Sequence, residues 1–240
     1  MDFLETCKKM IAIDSSPANG TGEVVDFIRN LAEEMGFKVQ VDEEVHRGKR
    51  EANILCFPNQ ISPDVELMLQ AHLDTVDPGS FALWERNGRN PFHASIHGGR
   101  IYGLGTADSK LDFLCKLYAA RKFLEINKTP SFAVVGTFGE QYKMRGAIDL
   151  IRHNKIRAKK VLVSQPTGMN LVYAGKGLAN IEITIPFSKE EMEMKQAHDA
   201  GEGQSAQCKM FKGDLSGQGQ GGHAIEKIFD YLEQLPDQIL

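Results

Sequence analysis

A chain of 240 residues can bury a sizeable core, and its length allows one or two domains. With 42% apolar and 25% charged residues it has the make-up of a soluble globular protein, and a net charge of −4 presents no basic face for nucleic acid. The four cysteines, Cys7, Cys56, Cys115 and Cys208, are far apart and form no C-x-x-C pair, which argues against a zinc knuckle or a disulfide framework and fits a reducing compartment. The opening "MDFLETCKKMIAIDSSPANG" has no apolar core of signal-peptide length, and no stretch approaches a membrane span. A cytoplasmic protein without membrane contact is the expectation.

Along the chain, apolar spacing alternates between helix and strand periods. Phe3, Leu4, Cys7, Met10 and Ile11 give a short helical face. "NGTGEVVDFIRNLAEEMGFKVQVDE" predicts an amphipathic helix stopped at Gly36, followed by an alternating strand. Strands are predicted at 52–57 ("ANILCF") and within 65–73 ("VELMLQAHL"), and 77–100 reads as one long loop rich in Gly, Asn and Pro. "SKLDFLCKLYAARKFLEI" (109–126) is the clearest helix. Strand 131–138, helix 144–154 and strand 159–164 complete the alternation. The pattern predicts an α/β fold, a sheet between helical layers, over residues 1–176. After Gly177 the character changes. "LANIEITIPF" alternates as a half-exposed strand, and "GHAIEKIFDYLEQL" carries a helical face, so 177–240 reads as the start of a smaller α+β module. Its unpaired strand edge and partly covered helix predict a homodimer or other self-association.

Four segments place polar groups where strands end or helices begin. "QAHLDTVDPG" puts His72 and Asp74 at the end of an apolar strand, on one face of it. The aspartate is then placed to accept the far ring N–H of His72, which fixes the tautomer a metal ligand needs. "GRIYGLGTADSK" runs through glycines to Asp108 just before the long helix. "VGTFGEQ" ends in Glu140 and Gln141, and "SQPTGMNLVYAGKG" sets Gln165 after another strand. Taken singly, His72 also fits an ordinary surface histidine and Asp108 a helix cap. Taken together, four strand-end groups in one open sheet point to a single crevice, where such folds bind ligands.

These four segments, in this order and spacing, resemble the zinc-dependent amidohydrolases that include acetylornithine deacetylase, succinyl-diaminopimelate desuccinylase, aminoacylase and glutamate carboxypeptidase. The likeness runs from about Asp2 to Pro236. It implies a three-layer catalytic domain of the zinc-peptidase kind with a lid and dimerisation module. It also implies two zinc ions and a metal-activated water that cleaves the amide of an N-acyl amino acid or small peptide. Carried over residue by residue, His72 matches a metal ligand, Asp74 its orienting acid, Asp108 the bridging carboxylate and Glu140 the general base.

The chain departs from that pattern in ways that bear on chemistry. Gln141 stands at a ligand glutamate and Gln165 at the acid of an E-P-T turn, and the family's late histidine belongs to a C-terminal segment not found here. In place of an A-A-H-S-S run the chain reads "FKGDLSGQGQGGHAIEKI", whose His223 sits too near the helix to replace the lid histidine. An amide oxygen carries no charge to offset repulsion between two dications; even unit charges ~4 Å apart interact by about 4 kcal/mol at an effective dielectric near 20. Zinc also prefers carboxylate, His and Cys donors to a neutral amide. The expectation is zinc bound weakly, one ion at most, and hydrolysis lost or severely impaired. Two alternatives stand beside it: an active hydrolase using one ion or completed by a second polypeptide, and a non-catalytic binding or interaction protein.

Overall fold

The computed structural model describes residues 2–126 and 131–174, nearly all of them in one compact unit, Met1–Tyr173. The expected module at 177–240, with His223 and any self-association through it, lies outside the described residues.

The chain opens with helix α1 (Phe3–Ala12), started by Asp2, whose carboxylate accepts the Glu5 N–H at 3.1 Å. Helix α2 (Gly22–Glu34) follows, burying Val24, Val25, Ile28, Leu31 and Ala32 at the 3–4 spacing of one helical face. Strands β1 (Lys38–His46) and β2 (Lys49–Phe57) form an antiparallel hairpin closed by Arg47 and Gly48, both at positive φ. Two consecutive left-handed residues match the right-handed twist of paired strands. Strand β2 therefore begins three residues earlier than apolar content alone indicated.

Next come β3 (Asp64–His72) and the stretch read as a loop, which contains two short 3₁₀ turns and a small hairpin of β4 (Ser95–His97) and β5 (Arg100–Tyr102). These strands are only three residues long, too short to show periodicity. The remaining elements are α3 (Lys110–Leu124), β6 (Phe132–Thr137), α4 (Arg145–Arg152) and β7 (Arg157–Val163).

Five strands make a mixed sheet in the order β1-β2-β6-β3-β7. The β1–β2 and β2–β6 pairs are antiparallel, whereas β3 is parallel to both β6 and β7. Alternate residues feed two separate cores. Ala52, Ile54, Cys56, Ala71, Phe132 and Val134 pack with α1, α2 and α3. Leu55, Phe57, Val65, Ala133 and Val135 pack with Leu150 of α4 on the other face. Period-two side chains between two helical layers are what make β2 and β6 almost wholly buried. This is the expected three-layer α/β arrangement.

The topology also fixes where a site can form. From β3 the chain crosses through α3 to β6 on one side; from β6 it crosses through α4 to β7 on the other. The two crossovers leave the C-terminal ends of the neighbouring strands β3 and β6 toward opposite faces of the sheet, and such a divergence opens a crevice in an α/β sheet. His72 is the last residue of β3.

Candidate functional site

His72 is 1% exposed and pairs across the sheet with Thr137, the last residue of β6. Its Nδ1 lies 2.9 Å from the backbone carbonyl of Asp74 and its Nε2 lies 2.8 Å from Oδ1 of Asp108. A carbonyl oxygen can only accept, so Nδ1 carries a proton and donates it to Asp74 O. That tautomer leaves Nε2 to share a proton with Asp108 or to offer its lone pair to an ion. Asp108 reaches this position from the turn before α3. Ser109, next to it, donates its hydroxyl to the His72 carbonyl at 2.9 Å and so clamps that turn to the end of β3.

Asp74 does not do what the sequence suggested. Its carboxylate stands 3.7 Å from His72 Nδ1, beyond hydrogen-bond reach, and the ring is oriented by its main-chain oxygen instead. The two carboxylate oxygens accept the backbone N–H groups of Glu140 and Gln141, each at 3.1 Å. A side chain at the end of β3 thus holds the turn that follows β6. Replacing Asp74 by Asn leaves one acceptor oxygen for two donors and turns an NH₂ group toward the second. A stability loss of about 1–2 kcal/mol is expected, since a charge-assisted acceptor is removed and a part-buried N–H loses its partner. Amide exchange at Glu140 and Gln141 should accelerate far more than exchange in β6; unchanged protection at those two amides would refute the anchoring role.

Asn53, fully buried on β2, anchors the same turn from below. Its Nδ2 donates to the Gly146 carbonyl at 3.1 Å, and its Oδ1 accepts the Phe138 N–H at 3.3 Å. Gly146 packs so closely that a Cβ there would lie 2.4 Å from Asn53 Oδ1 and 2.7 Å from both the N and the O of Phe138. Glu140 is half-buried on this turn and Gln141 is exposed.

The end of β7 is held by a third device. Lys116, on α3 and 8% exposed, points its ammonium at the Gln70 carbonyl, the Ser164 hydroxyl and the Asp112 carboxylate, each at 2.7 Å. Three donors meet three acceptors, so the buried charge is satisfied. Ser164 Oγ in turn bonds Asp112, and its N–H donates to Gln70 O at 3.0 Å. Gln165 follows at once but is exposed, and no contact among the described residues joins it to His72 or Asp108. A second buried lysine, Lys110, donates to the Ile13 carbonyl at 2.7 Å, and burial pushes its pKa down to about 8.

Asn53, Ser109, Lys110, Asp112, Lys116 and Ser164 escaped the sequence reading. The lysines left a trace there: Lys116 falls between Phe113 and Ala120 at helical spacing, on the face that the apolar residues bury. A charge on that face has to find partners.

The donor set decides which metal the crevice suits. His72 Nε2 and Asp108 Oδ1 converge, but among the described residues no three His, Cys, Asp or Glu side chains are grouped to hold an ion. Two donors fall short of the three or four protein ligands zinc takes. The described residues therefore do not fit the two-ion centre that the resemblance implies.

A mixed α/β sheet thus carries a His–Asp pair and an acid-anchored Glu140 turn at its strand ends. Residues 68–224 match Peptidase family M20/M25/M40, and the chain belongs to that family. Among solved structures it is similar to an M20 family metallo-carboxypeptidase from Sulfolobus solfataricus, at 22% identity and a TM-score of 0.56 over 68% of this chain and 37% of that one. Human carnosine dipeptidase 1 aligns at 17% identity and a TM-score of 0.51, covering 68% of this chain and 38% of its own. A dipeptidase from Saccharomyces cerevisiae aligns at 16% and 0.52, with the same two coverages of 68% and 38%. The chain thus spans less than half the length of these relatives, and the likeness establishes its fold. No helix among the described residues is long and apolar enough to cross a membrane.

Proposed function

We propose that this chain carries the strand-end half of a metal-dependent amide hydrolase site and is, by itself, a weak binder of a single divalent ion with little or no turnover. The observation that supports this reading most is the His72–Asp108 pair at 2.8 Å, which is the whole converging donor set among the described residues. In this reading Nδ1–H of His72 is spent on Asp74 O, Nε2 and Asp108 face an incoming ion, and Glu140 is the base at the rim. Gln141 and Gln165 occupy ligand positions without supplying charge. The substrate class is an N-acyl amino acid or a small peptide, and zinc is the ion of choice.

A second reading has a specific observation behind it. Solved relatives are more than twice as long as the segment they share with this chain, so a complementary polypeptide could supply further donors. The test is zinc titration by calorimetry beside hydrolysis of a panel of N-acetyl amino acids, on the purified chain and on its Glu140→Gln variant. The expected result is one weakly held ion at most and hydrolysis at background in both proteins. Two tightly held ions, with turnover that Glu140→Gln abolishes, would overturn the reading.

A further inference from the structure

Helices α1 and α3 run antiparallel, and three contacts fix their register. At one end, Phe3 packs edge-on against Tyr118 with ring centroids 4.9 Å apart, and Thr6 Oγ1 lies 2.9 Å from the Tyr118 hydroxyl. At the other end, the Lys110 ammonium bonds the carbonyl of Ile13, just past α1. Advancing along α1 from Phe3 and Thr6 to Ile13 therefore means retreating along α3 from Tyr118 to Lys110. One turn in from the tyrosine, this register brings Cys7 and Cys115 to about the same level of the two helices. The stripes agree: Phe3, Cys7 and Met10 lie at helical spacing on α1, and Leu111, Cys115 and Tyr118 on α3. Both cysteines are thiols, Cys7 buried and Cys115 exposed.

We propose that Cys7 and Cys115 are a conditional disulfide pair that staples α1 to α3 when the protein meets a peroxide. Residues at one level of two packed helices can bring Cα atoms near the separation a disulfide spans, and an exposed Cys115 at the edge of the helix pair is open to the oxidant. The electrostatics agree on the Cys7 side: burial first and then the Cys115 charge raise Cys7, to about 11. Burial also raises Cys115, helped by Asp112. Neither thiol is therefore a fast nucleophile near neutral pH, and the bond belongs to sustained rather than transient oxidation.

The chemistry balances with hydrogen peroxide as oxidant. The exposed Cys115 sulfur attacks first as thiolate, the O–O bond breaks, hydroxide leaves and a sulfenic acid forms. Cys7 then attacks that sulfur, the S–S bond forms and the oxygen departs as water. Two thiols and one peroxide give one disulfide and two waters.

The experiment is peroxide treatment of the full chain, alkylation under denaturing conditions, and non-reducing peptide mapping by mass spectrometry, with Cys115→Ser alongside. Cys115 is exposed, so serine there leaves the core intact. The expected major product is the Cys7–Cys115 cross-linked peptide, absent from the variant and forming roughly tenfold faster per pH unit between pH 7 and pH 8 as thiolate accumulates. Recovery of Cys7 as a free alkylated thiol while Cys115 advances to sulfinic acid would overturn the proposal. So would pairing of Cys115 with Cys208 in place of Cys7.

Discussion

Changing Gln141 and Gln165 to glutamate together is expected to raise zinc affinity by at least about tenfold, the equivalent of about 1.4 kcal/mol. Each substitution converts a neutral amide into an anion of nearly the same shape. Oxygen anions are donors zinc accepts readily, and they also offset the ion's charge, which an amide cannot. The two positions should not contribute equally. Gln141 sits on the turn held by Asp74, Asn53 and the close-packed Gly146, so a glutamate there is already positioned. Gln165 is exposed after the last residue held by Lys116, so a glutamate there must first be ordered. The single Gln141→Glu variant should therefore show most of the gain. Calorimetric titration of the two single variants and the double checks this; no gain in any of them would mean that these turns do not face His72 and Asp108. Hydrolysis should rise little even in the double variant, because only two ligands are restored.

Gly146→Ala is expected to be the most damaging single substitution in the described unit. Its new methyl would stand 2.7 Å from two backbone atoms of Phe138 as well as 2.4 Å from Asn53 Oδ1. A side-chain tip can swing away, but the Phe138 backbone is fixed by the end of β6 and by Gly146 N–H, which donates to Phe138 O at 2.9 Å. Overpacking against backbone costs about 3 kcal/mol or more, which for a unit of this size lowers the melting temperature by roughly 10 °C. Combining it with Asn53→Ala separates the two sources of the clash. Removing the Asn53 amide clears one contact and leaves Phe138 N–H without its acceptor, so little stability should return. Full recovery in the double variant would show that the asparagine alone sets the limit.

Much of the sheet was legible because strands β2, β3 and β6 are apolar runs at the right length and α3 is long enough to show its period. What escaped has physical causes. The β1–β2 turn is Arg47–Gly48, where only one of two left-handed residues is a glycine, so the usual signal was halved. Strands β4 and β5 have three residues each, fewer than a pattern needs. The His72–Asp108 contact was legible as residue types placed at the end of a strand and the start of a helix. Its wiring was not: spacing indicated that Asp74 belongs beside His72 but not that its carbonyl holds the ring while its carboxylate serves Glu140 and Gln141. Main-chain acceptors leave no mark on a sequence. Lys116 shows the same limit, since the Gln70 carbonyl and Ser164 that satisfy it lie on other elements.

The anchoring of this crevice has a consequence for how the chain can change over generations. The turns after β3 and β6 are fastened by Asp74, Asn53 and Ser109, and the end of β7 by Lys116, none of which occupies a ligand position on the rim. Gln141 and Gln165 hang outward from those fastenings, exposed, and carry none of the weight. Exchanging either side chain costs the architecture little, so selection for a foldable protein alone does not hold these two positions. Chemistry can drift away from such a scaffold one outward side chain at a time while the scaffold persists, and by the same route a new use can be grafted onto it.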